Sequence, residues 1–379
     1  MREVYLDNCA TTRVDDHVAQ VALDMMTKFY GNPSSLHGKG LEAQLHLERA
    51  RGKIAGVLGC EPQEVYFTSG GTEANNLALL GAFAAHRRKA TGIVGGQAEH
   101  SSVLGAAKHL GEQGAQVTLI PPAADGRADV DAFTAAVGES TLLVSCSLVN
   151  SETGGVSAVG EIARAAKAKS GQALVHCDAV QALGKIMVSV RALGVDLLSV
   201  SGHKIHAPKG IGALYVRGGV RILPIFQGGS QQKGIRPGTE SVPLACAFGA
   251  AVEQNCARMD KNLAQYENLR KLFVKRAENM QGVCINSAAA DTPYICNISL
   301  PGYRSETLLH FLAERGVYVS SGSACAKGKD SHVLSAMGLP QERIRSALRV
   351  SFCKDTTQSD IDAFFEALEI AMATLVRSK

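Results

Sequence analysis

The 379-residue sequence contains no tryptophan, and aromatic side chains make up only 5% of it. A surface that stacks nucleic-acid bases needs such side chains. The net charge of +4 comes without a long basic block, so nucleic acid is not indicated as the primary ligand. No uninterrupted apolar stretch reaches the roughly 18 residues of a membrane-spanning helix. The first residues lack a basic segment followed by an apolar one, so we predict no signal peptide and a cytoplasmic location.

The ten cysteines are scattered, and no two of them have C-x-x-C spacing. This spacing indicates neither a zinc knuckle nor a disulfide framework. Most of the cysteines are expected to be small buried hydrophobic residues in a reducing compartment. The 46% hydrophobic and 20% charged residues are ordinary for a globular protein, and the length allows a large domain with a smaller one.

From residue 65 to about 216, short apolar runs alternate with stretches of helical spacing, which predict helices at Thr72–Lys89, His100–Glu112, Ala158–Lys169 and Val180–Leu193. This alternation predicts an α/β fold with a mostly parallel, seven-stranded sheet flanked by helices. Shorter strands and helices follow from about residue 281, which indicates a smaller α+β domain. We predict a large domain over residues 16–250, and a small domain over residues 1–15 and 251–379. The seven predicted strands are Val65–Ser69, Gly92–Gln97, Val117–Pro121, Leu142–Leu148, Ala173–Cys177, Asp196–Val200 and Ile211–Val216.

One glycine motif is rejected. The segment Gly38–Ala43 matches the G-x-G-x-x-A dinucleotide fingerprint. That fingerprint requires a strand directly before it, and residues 16–58 have helical spacing instead. The motif therefore does not indicate a dinucleotide site.

Polar side chains that can bind ligands or take part in catalysis follow five of the predicted strands. Ligands of open parallel sheets bind beyond the carboxyl ends of the strands, so we expect these groups to form one site. Their order along the chain is Gly70-Gly71-Thr72-Glu73, Glu99-His100, Asn150, Asp178 with Gln181, and Ser201 with His203 and Lys204.

Three of these groups together indicate one cofactor. A lysine at the mouth of a buried strand, as Lys204 is, can lose hydration and form Schiff bases, although Lys204 alone is better explained as a solvated loop lysine. The helix start at Gly71 and Thr72 suits a phosphate, and an ordinary helix cap explains it equally well. The buried carboxylate of Asp178 needs a cationic partner. A phosphate site, a Schiff-base lysine and a buried carboxylate are together what pyridoxal phosphate requires.

These segments resemble the signature blocks of the NifS/IscS-type cysteine desulfurases, which are fold-type I pyridoxal phosphate enzymes of the class V aminotransferase group. The resemblance runs in consistent order from one end of the chain to the other. It covers Tyr5–Thr12, Gly31–Ser34, Thr68–Glu73, Ala98–His100, Val149–Gly154, His176–Gln181, Ser201–Lys204, Arg236–Glu240, Ser320–Cys325 and Leu348–Phe352.

The resemblance implies a role for each matching residue. Lys204 would hold the cofactor and later move the substrate's α-proton, and His100 would stack on the pyridine ring and help proton transfer. Asp178 would pair with the pyridine nitrogen. Gln181 would bond the phenolic oxygen, with Asn150 beside that oxygen and the substrate carboxylate. Phosphate contacts are implied for Gly71, Thr72, Ser201, His203 and, across a homodimer with shared sites, Thr239.

Two residues of the predicted small domain complete the implied site. Arg349 lies in an apolar strand-like run, where a guanidinium needs an anion and the carboxylate of an amino acid fits; from the residues alone, an edge-strand surface arginine fits equally well. Cys325 lies in a small, polar segment with two lysines close behind it, which favours the thiolate. The resemblance implies that Cys325 takes sulfur from L-cysteine as a persulfide, leaves L-alanine, and passes the sulfur to an acceptor protein.

The sequence departs from the family pattern in two places. The segment from Cys325 to Leu334 is a little shorter than in IscS-like members. Cys9 stands where alanine is more common; it is either a second thiol near the site or, as the better explanation, a small packed residue.

Three functions are possible. The chain could be a cysteine desulfurase for iron–sulfur cluster assembly or for tRNA or cofactor thiolation. It could be another class V enzyme, such as a selenocysteine lyase or an aminotransferase. A non-catalytic scaffold is the third possibility, and the presence of Lys204, Asp178 and Arg349 argues against it.

Overall fold

The computed structural model describes residues 2–288, 291–322 and 330–377. Cys325 lies outside these ranges. In the described part of the chain the strands are β1 (Val4–Tyr5), β2 (Val65–Thr68), β3 (Gly92–Gly96), β4 (Gln116–Ile120), β5 (Thr141–Ser147), β6 (Leu174–Asp178), β7 (Leu197–Ser201), β8 (Gly212–Val216), β9 (Cys284–Ile285), β10 (Ile295–Ser299), β11 (Val317–Tyr318) and β12 (Ala347–Ser351).

The helices connect and cover these strands. Over the same ranges they are α1 (Asp16–Thr27), α2 (Gly38–Leu58), α3 (Gly71–His86), α4 (Ser101–Glu112), α5 (Val130–Ala136), α6 (Val159–Lys169), α7 (Val190–Leu193), α8 (Val242–Ala257), α9 (Met259–Glu278), α10 (Ser305–Ala313), α11 (His332–Ala336), α12 (Gln341–Arg345) and α13 (Gln358–Thr374). A short 3₁₀ turn, Gly202–Lys204, directly follows β7.

The large sheet has seven strands in the order β2-β8-β7-β6-β5-β3-β4. The strand β8 pairs antiparallel with both of its neighbours, and the other pairs are parallel. The strands β3, β7 and β8 are buried along their whole length, as expected for strands covered by helices on both faces. The predicted seven-stranded, mostly parallel α/β sheet is confirmed, with all seven predicted runs in it.

Helix α3 shows why the sequence folds as it does around the site. It is apolar around most of its circumference, and Leu77, Ala78 and Leu79 are fully buried, because the helix lies between the sheet and α4. Burying each such leucine stabilises the fold by roughly 2 kcal/mol. Its first turn, which starts at Gly71, is thereby fixed at the carboxyl end of β2.

The remaining strands form two small sheets. One has the order β12-β10-β9 and the other pairs β1 with β11. Beside them, Phe273 packs its ring against Phe352, Phe364 and Phe365. An isolated bridge from Asp7 to Ser351 ties the first residues of the chain to β12. The domain division at residue 250 stays a prediction.

One predicted helix is wrong. The segment Val180–Leu193 was expected to be helical throughout, and only Val190–Leu193 is. The carbonyl oxygen of Gln181 accepts a hydrogen bond from the hydroxyl of Tyr294 at 2.9 Å, and Gly184 adopts φ +69°. A distant side chain thus takes the place of a helical partner, and the backbone turns.

No strand directly precedes the glycine motif, as predicted, because Gly38–Ala43 opens α2 and no strand lies between α1 and α2.

Over the described ranges, no helix combines the length and the apolar character needed to cross a membrane.

Candidate active site

A cavity of about 270 Å³ lies at the carboxyl ends of the central strands. Side chains that follow β2, β3, β6 and β7 line it, as does one from β12. The structure brings together nine of the predicted site residues in its wall: Gly71, Thr72, His100, Asp178, Gln181, Ser201, His203, Lys204 and Arg349.

Lys204 enters the cavity from the 3₁₀ turn after β7. Its Nζ donates hydrogen bonds to the carbonyl oxygens of Cys9 at 2.5 Å and Ala10 at 2.8 Å. The pKa of this amine is lowered to about 8, chiefly by burial and in part by the positive charges of Arg349 and Lys185. A lysine in this state is a ready nucleophile and proton acceptor near neutral pH.

One end of the cavity offers hydrogen-bond donors. The first turn of α3 starts at Gly71, where the backbone N–H groups have no partner within the helix and the helix dipole is positive. A Cβ at Gly71 would lie 2.7 Å from Cγ2 of Val180, so a larger residue would displace the opposite wall. The hydroxyl of Ser201 is buried and has no hydrogen-bond partner in the described part of the chain.

His203 lies beside Thr72 and Ser201 in the lining of the cavity. Its Nδ1 lies 3.2 Å from Oγ1 of Thr11. Burial and the positive charge of Lys204 lower the pKa of His203 to about 4. His203 is therefore a neutral hydrogen-bonding group at physiological pH.

Asp178 ends β6 with its carboxylate held on both oxygens. Oδ1 accepts from the backbone N–H of Val180 at 2.9 Å, and Oδ2 accepts from Nδ2 of Asn75 at 2.7 Å. Asn75 also donates to the hydroxyl of Ser102 at 2.9 Å, and that hydroxyl lies 2.8 Å from Nδ1 of His100. The carboxylate and the imidazole are thus linked by a continuous chain of side chains.

Arg349 approaches from β12, opposite the large sheet. Its Nη2 contacts Oδ1 of Asp7 at 2.8 Å and its Nη1 donates to the carbonyl of Ser151 at 3.0 Å. Its Nε is buried and has no hydrogen-bond partner among the described residues. Arg349 therefore already has an anion within the chain, Asp7, and its role toward a substrate carboxylate stays a prediction.

Two predicted residues lie elsewhere, and a third is not among the described residues. The amide of Asn150 is turned into its own loop, where Oδ1 accepts from the backbone of Glu152 at 2.9 Å and Nδ2 donates to Ala98 at 3.2 Å. Thr239 lies outside the cavity, in a separate groove with Ser69 and Arg236. Cys325 lies outside the described residues. The predicted roles of these three residues stay predictions.

Sequence reasoning did not find Asn75, Ser102 and Lys185, which lie in or beside the site. Asn75 lies one helical turn after Thr72, and Ser102 lies two residues after His100, which is the spacing of a helix N-cap to its partner. Lys185 is a buried ionisable residue, as is Glu99, which the sequence had placed at a strand end. Only the helical spacing of Asn75 was a usable signal, because burial of the other side chains depends on contacts made far along the chain.

The cavity fits pyridoxal phosphate. The unpartnered hydroxyl of Ser201 and the free N–H groups at Gly71 suit a phosphate, and the low-pKa amine of Lys204 suits an aldehyde. The carboxylate of Asp178 suits a pyridine nitrogen. Among the described residues, no group of three or more histidine, cysteine, aspartate or glutamate side chains could hold a metal ion.

Comparison with known proteins identifies the family. The family profile described as Aminotransferase class-V matches residues 4–364. A cysteine desulfurase of Trichormus azollae is 39% identical over 97% of this chain and 92% of its own length, and the cysteine desulfurase IscS of Dictyoglomus turgidum is 38% identical over 97% and 94%. A solved NifS-like protein superposes with a TM-score of 0.94 at 37% identity, covering 99% of this chain and all of the other.

The chain therefore belongs to the class-V aminotransferase family. Within that family it belongs to the group of NifS/IscS-type cysteine desulfurases. The family and the fold predicted from the sequence are both confirmed.

Proposed function

We propose that this chain is a pyridoxal phosphate-dependent cysteine desulfurase, which converts L-cysteine to L-alanine and carries the sulfur as a persulfide on Cys325. The relatives that are named cysteine desulfurases support this activity. The observation that carries it is the buried amine of Lys204, with its pKa near 8, in one cavity with Asp178 and Arg349.

Different residues of the cavity would hold different parts of the cofactor. The first turn of α3 with Thr72, Ser201 and His203 would hold the phosphate, Lys204 the aldehyde carbon, and Gln181 the phenolic oxygen. Asp178 would hold the pyridine nitrogen and His100 would cover the ring face. When bound, pyridoxal phosphate supplies an electron sink for a carbanion at the amino acid's α-carbon.

Arg349 and Lys204 act on the substrate. The Nε–H of Arg349 is buried and has no partner among the described residues, so it is available to the carboxylate of the amino acid, which a guanidinium binds with charge-assisted hydrogen bonds. Lys204 accepts the proton from the α-carbon, because an amine with a pKa of about 8 is partly unprotonated at neutral pH. Asn150 is proposed to support the substrate from the neighbouring loop.

The sulfur step involves Cys325. The C–S bond of the substrate breaks and an S–S bond forms between the substrate sulfur and the Cys325 sulfur. The two thiol groups together supply the hydrogen that completes the methyl group of alanine and the hydrogen of the persulfide. No external oxidant or reductant is needed. The persulfide then passes its outer sulfur to a thiol of an acceptor protein, for iron–sulfur cluster assembly or for tRNA or cofactor thiolation.

The proposal extends to the oligomeric state, the location and the domain boundary. The groove that holds Thr239 is separate from the cavity, so a phosphate contact from Thr239 fits a homodimer in which each subunit completes the other's site. We also propose a cytoplasmic location. The division into residues 16–250, and 1–15 with 251–379, is proposed as the domain boundary.

A persulfide measurement tests this function. The purified full chain is incubated with pyridoxal phosphate and L-cysteine, alanine is quantified, and the Cys325 peptide is weighed by mass spectrometry. We expect alanine and a peptide heavier by one sulfur atom. The variant Cys325→Ala should keep the cofactor absorption band and release no sulfide, whereas the matched control Cys256→Ala should behave like the wild type. Normal desulfuration by Cys325→Ala would refute the proposal.

A further inference from the structure

Four side chains form an unbroken hydrogen-bonded chain along the wall of the cavity. The carboxylate of Asp178 accepts from Nδ2 of Asn75 at 2.7 Å, and the same nitrogen donates to Oγ of Ser102 at 2.9 Å. Oγ of Ser102 lies 2.8 Å from Nδ1 of His100. Asn75, Ser102 and Asp178 are buried, so solvent does not compete for these bonds.

The carboxylate sets the direction of every bond in this chain. Asp178 can only accept in its ionised form, so the amide of Asn75 presents its NH₂ group and not its oxygen. One hydrogen of that group goes to Asp178 and the other to the hydroxyl of Ser102. Because the hydroxyl oxygen accepts from Asn75, its own hydrogen is free to point at His100.

The imidazole of His100 therefore faces two donors at one atom. Its Nδ1 receives the hydroxyl hydrogen of Ser102 and also the backbone N–H of Ser102 at 3.1 Å. A nitrogen that accepts hydrogen bonds carries a lone pair, so the proton of the neutral ring is on Nε2. A second proton on Nδ1 would break both bonds.

The surrounding charges act in both directions. Burial, Lys204 after β7 and His332 on α11 disfavour a charged imidazole, and the negative charge of Asp178 on β6 favours it. The net effect lowers the pKa of His100 below its ordinary value. The charge environment thus agrees with the tautomer that the geometry requires.

We propose that Asn75 and Ser102 are positioning residues that transmit the acceptor state of Asp178 to His100, and hold His100 as a neutral imidazole with its proton on Nε2. His100 then offers a donor to the cavity and does not begin as a base. The proton acceptor for the substrate is Lys204 alone. The catalytic meaning of this arrangement rests on the proposed function, but the tautomer is a property of the chain itself.

Nitrogen NMR of histidine in the full-length protein tests the proposal without the cofactor and without activity. The chain is labelled with ¹⁵N-histidine, and the His100 signal is assigned by its loss in His100→Asn. We expect the Nε2–H tautomer throughout pH 6 to 8.5. In Ser102→Ala, the midpoint for protonation of His100 should rise by at least half a pH unit.

Two further variants separate positioning from general destabilisation. Ser101→Ala makes the same change at an exposed neighbour in the same helical turn and should leave the His100 signal unchanged. Ser102→Thr keeps a hydroxyl and should restore the wild-type behaviour. The proposal is overturned if wild-type His100 carries its proton on Nδ1, if it titrates near the ordinary value of about 6.5, or if Ser102→Ala leaves it unchanged.

The outcomes also distinguish this proposal from the proposed function. A chain that makes no alanine from cysteine, but shows the predicted tautomer, would refute the function and support the positioning roles. A chain that makes alanine, but whose wild-type His100 titrates normally, would support the function and refute the positioning roles.

Discussion

Asp7 and Arg349 form an ion pair of 2.8 Å between residues that are 342 positions apart in the sequence. The side chain of Arg349 is only 2% exposed. A second fixed acceptor, the carbonyl of Ser151, holds Nη1 at 3.0 Å. The guanidinium plane is therefore fixed by these contacts, and within the described ranges the N–H of Nε has no partner.

The change Arg349→Lys tests this arrangement. A lysine keeps the positive charge but has a single nitrogen, so it cannot bond Asp7, Ser151 and a substrate carboxylate in one plane. Loss of one charge-assisted hydrogen bond of about 1.5–3 kcal/mol corresponds to a fall in kcat/KM for cysteine of roughly 10- to 150-fold. Steady-state alanine formation measures it.

The exposed Arg345, on α12, provides the matched control for this substitution. We expect Arg345→Lys to have kcat/KM within about twofold of the wild type. If Arg349→Lys retains the wild-type kcat/KM, the carboxylate of the substrate binds elsewhere.

Lys204→Ala should remove the attachment point of the cofactor. Treatment of the wild-type protein with pyridoxal phosphate and borohydride should fix the cofactor to the peptide that contains residue 204, because the amine with a pKa of about 8 is reactive. Lys204→Ala should give no such modified peptide, and Lys209→Ala, at an exposed neighbour, should give the normal one. A pyridoxyl group found on Lys185 in the wild type would contradict the assignment.

Lys185→Met should raise the pKa of Lys204. Lys185 is buried, its Nζ lies 3.4 Å from Oε1 of Gln181, and its charge helps to lower the pKa of Lys204. Without that charge, less of the Lys204 amine is unprotonated at pH 7.5. We expect the cofactor-free protein to take up pyridoxal phosphate about two- to threefold more slowly at this pH.

The rate difference for Lys185→Met should disappear at pH 9.5, where the amine is unprotonated in both proteins. Lys209→Met removes a charge that water already screens, so its rate should match the wild type at both pH values. A Lys185→Met protein that is slower by the same factor at both pH values would indicate a structural defect instead.

The sequence predicted the sheet and the groups at its strand ends, because both depend on local patterns. The apolar runs mark strands by their composition. Parallel strands bring their carboxyl ends to one edge of the sheet independently of how the helices pack. Nine predicted residues accordingly line one cavity. The helix over Val180–Leu193 was predicted wrongly, because its backbone follows a hydrogen bond from Tyr294 that no local pattern reveals.

The supporting shell of the site was not predictable for the same reason. Asp7 reaches Arg349 across almost the whole chain, and Lys185 and Glu99 are buried by elements distant in sequence. The tautomer of His100 depends on Asn75, which lies on another helix. These contacts between residues far apart in the chain are set by packing, and they cannot be predicted from local patterns in a single sequence.

Glu99 gives a prediction for the dependence of stability on pH. The residue lies directly before His100, and its Oε1 accepts from the backbone N–H of Ser147 at 2.7 Å. Its Oε2 is buried and has no partner among the residues that the structure describes. The pKa of this carboxyl is raised from 4.5 to about 8, chiefly by burial and in part by the negative charge of Asp178. Glu99 is therefore protonated in the folded protein at neutral pH.

The sign of the effect follows from proton counting. Between about pH 4.5 and 8 the unfolded chain has released this proton and the folded chain has kept it, so the free energy of unfolding falls as the pH rises. At pH 7 the cost is up to about 3 kcal/mol. The variant Glu99→Gln keeps an acceptor for Ser147 and has no proton to lose, so it avoids this cost.

Thermal unfolding at pH 5 and pH 7.5 measures the difference. Relative to the wild type, Glu99→Gln should gain several degrees in Tm on going from pH 5 to pH 7.5. Comparing the variant with the wild type at each pH cancels the other titrating groups, and Glu161→Gln, an exposed glutamate on α6, should show no such gain. A Glu99→Gln protein whose Tm difference is the same at both pH values would mean that Glu99 is ionised in the folded chain, because only a retained proton makes the stability difference depend on pH.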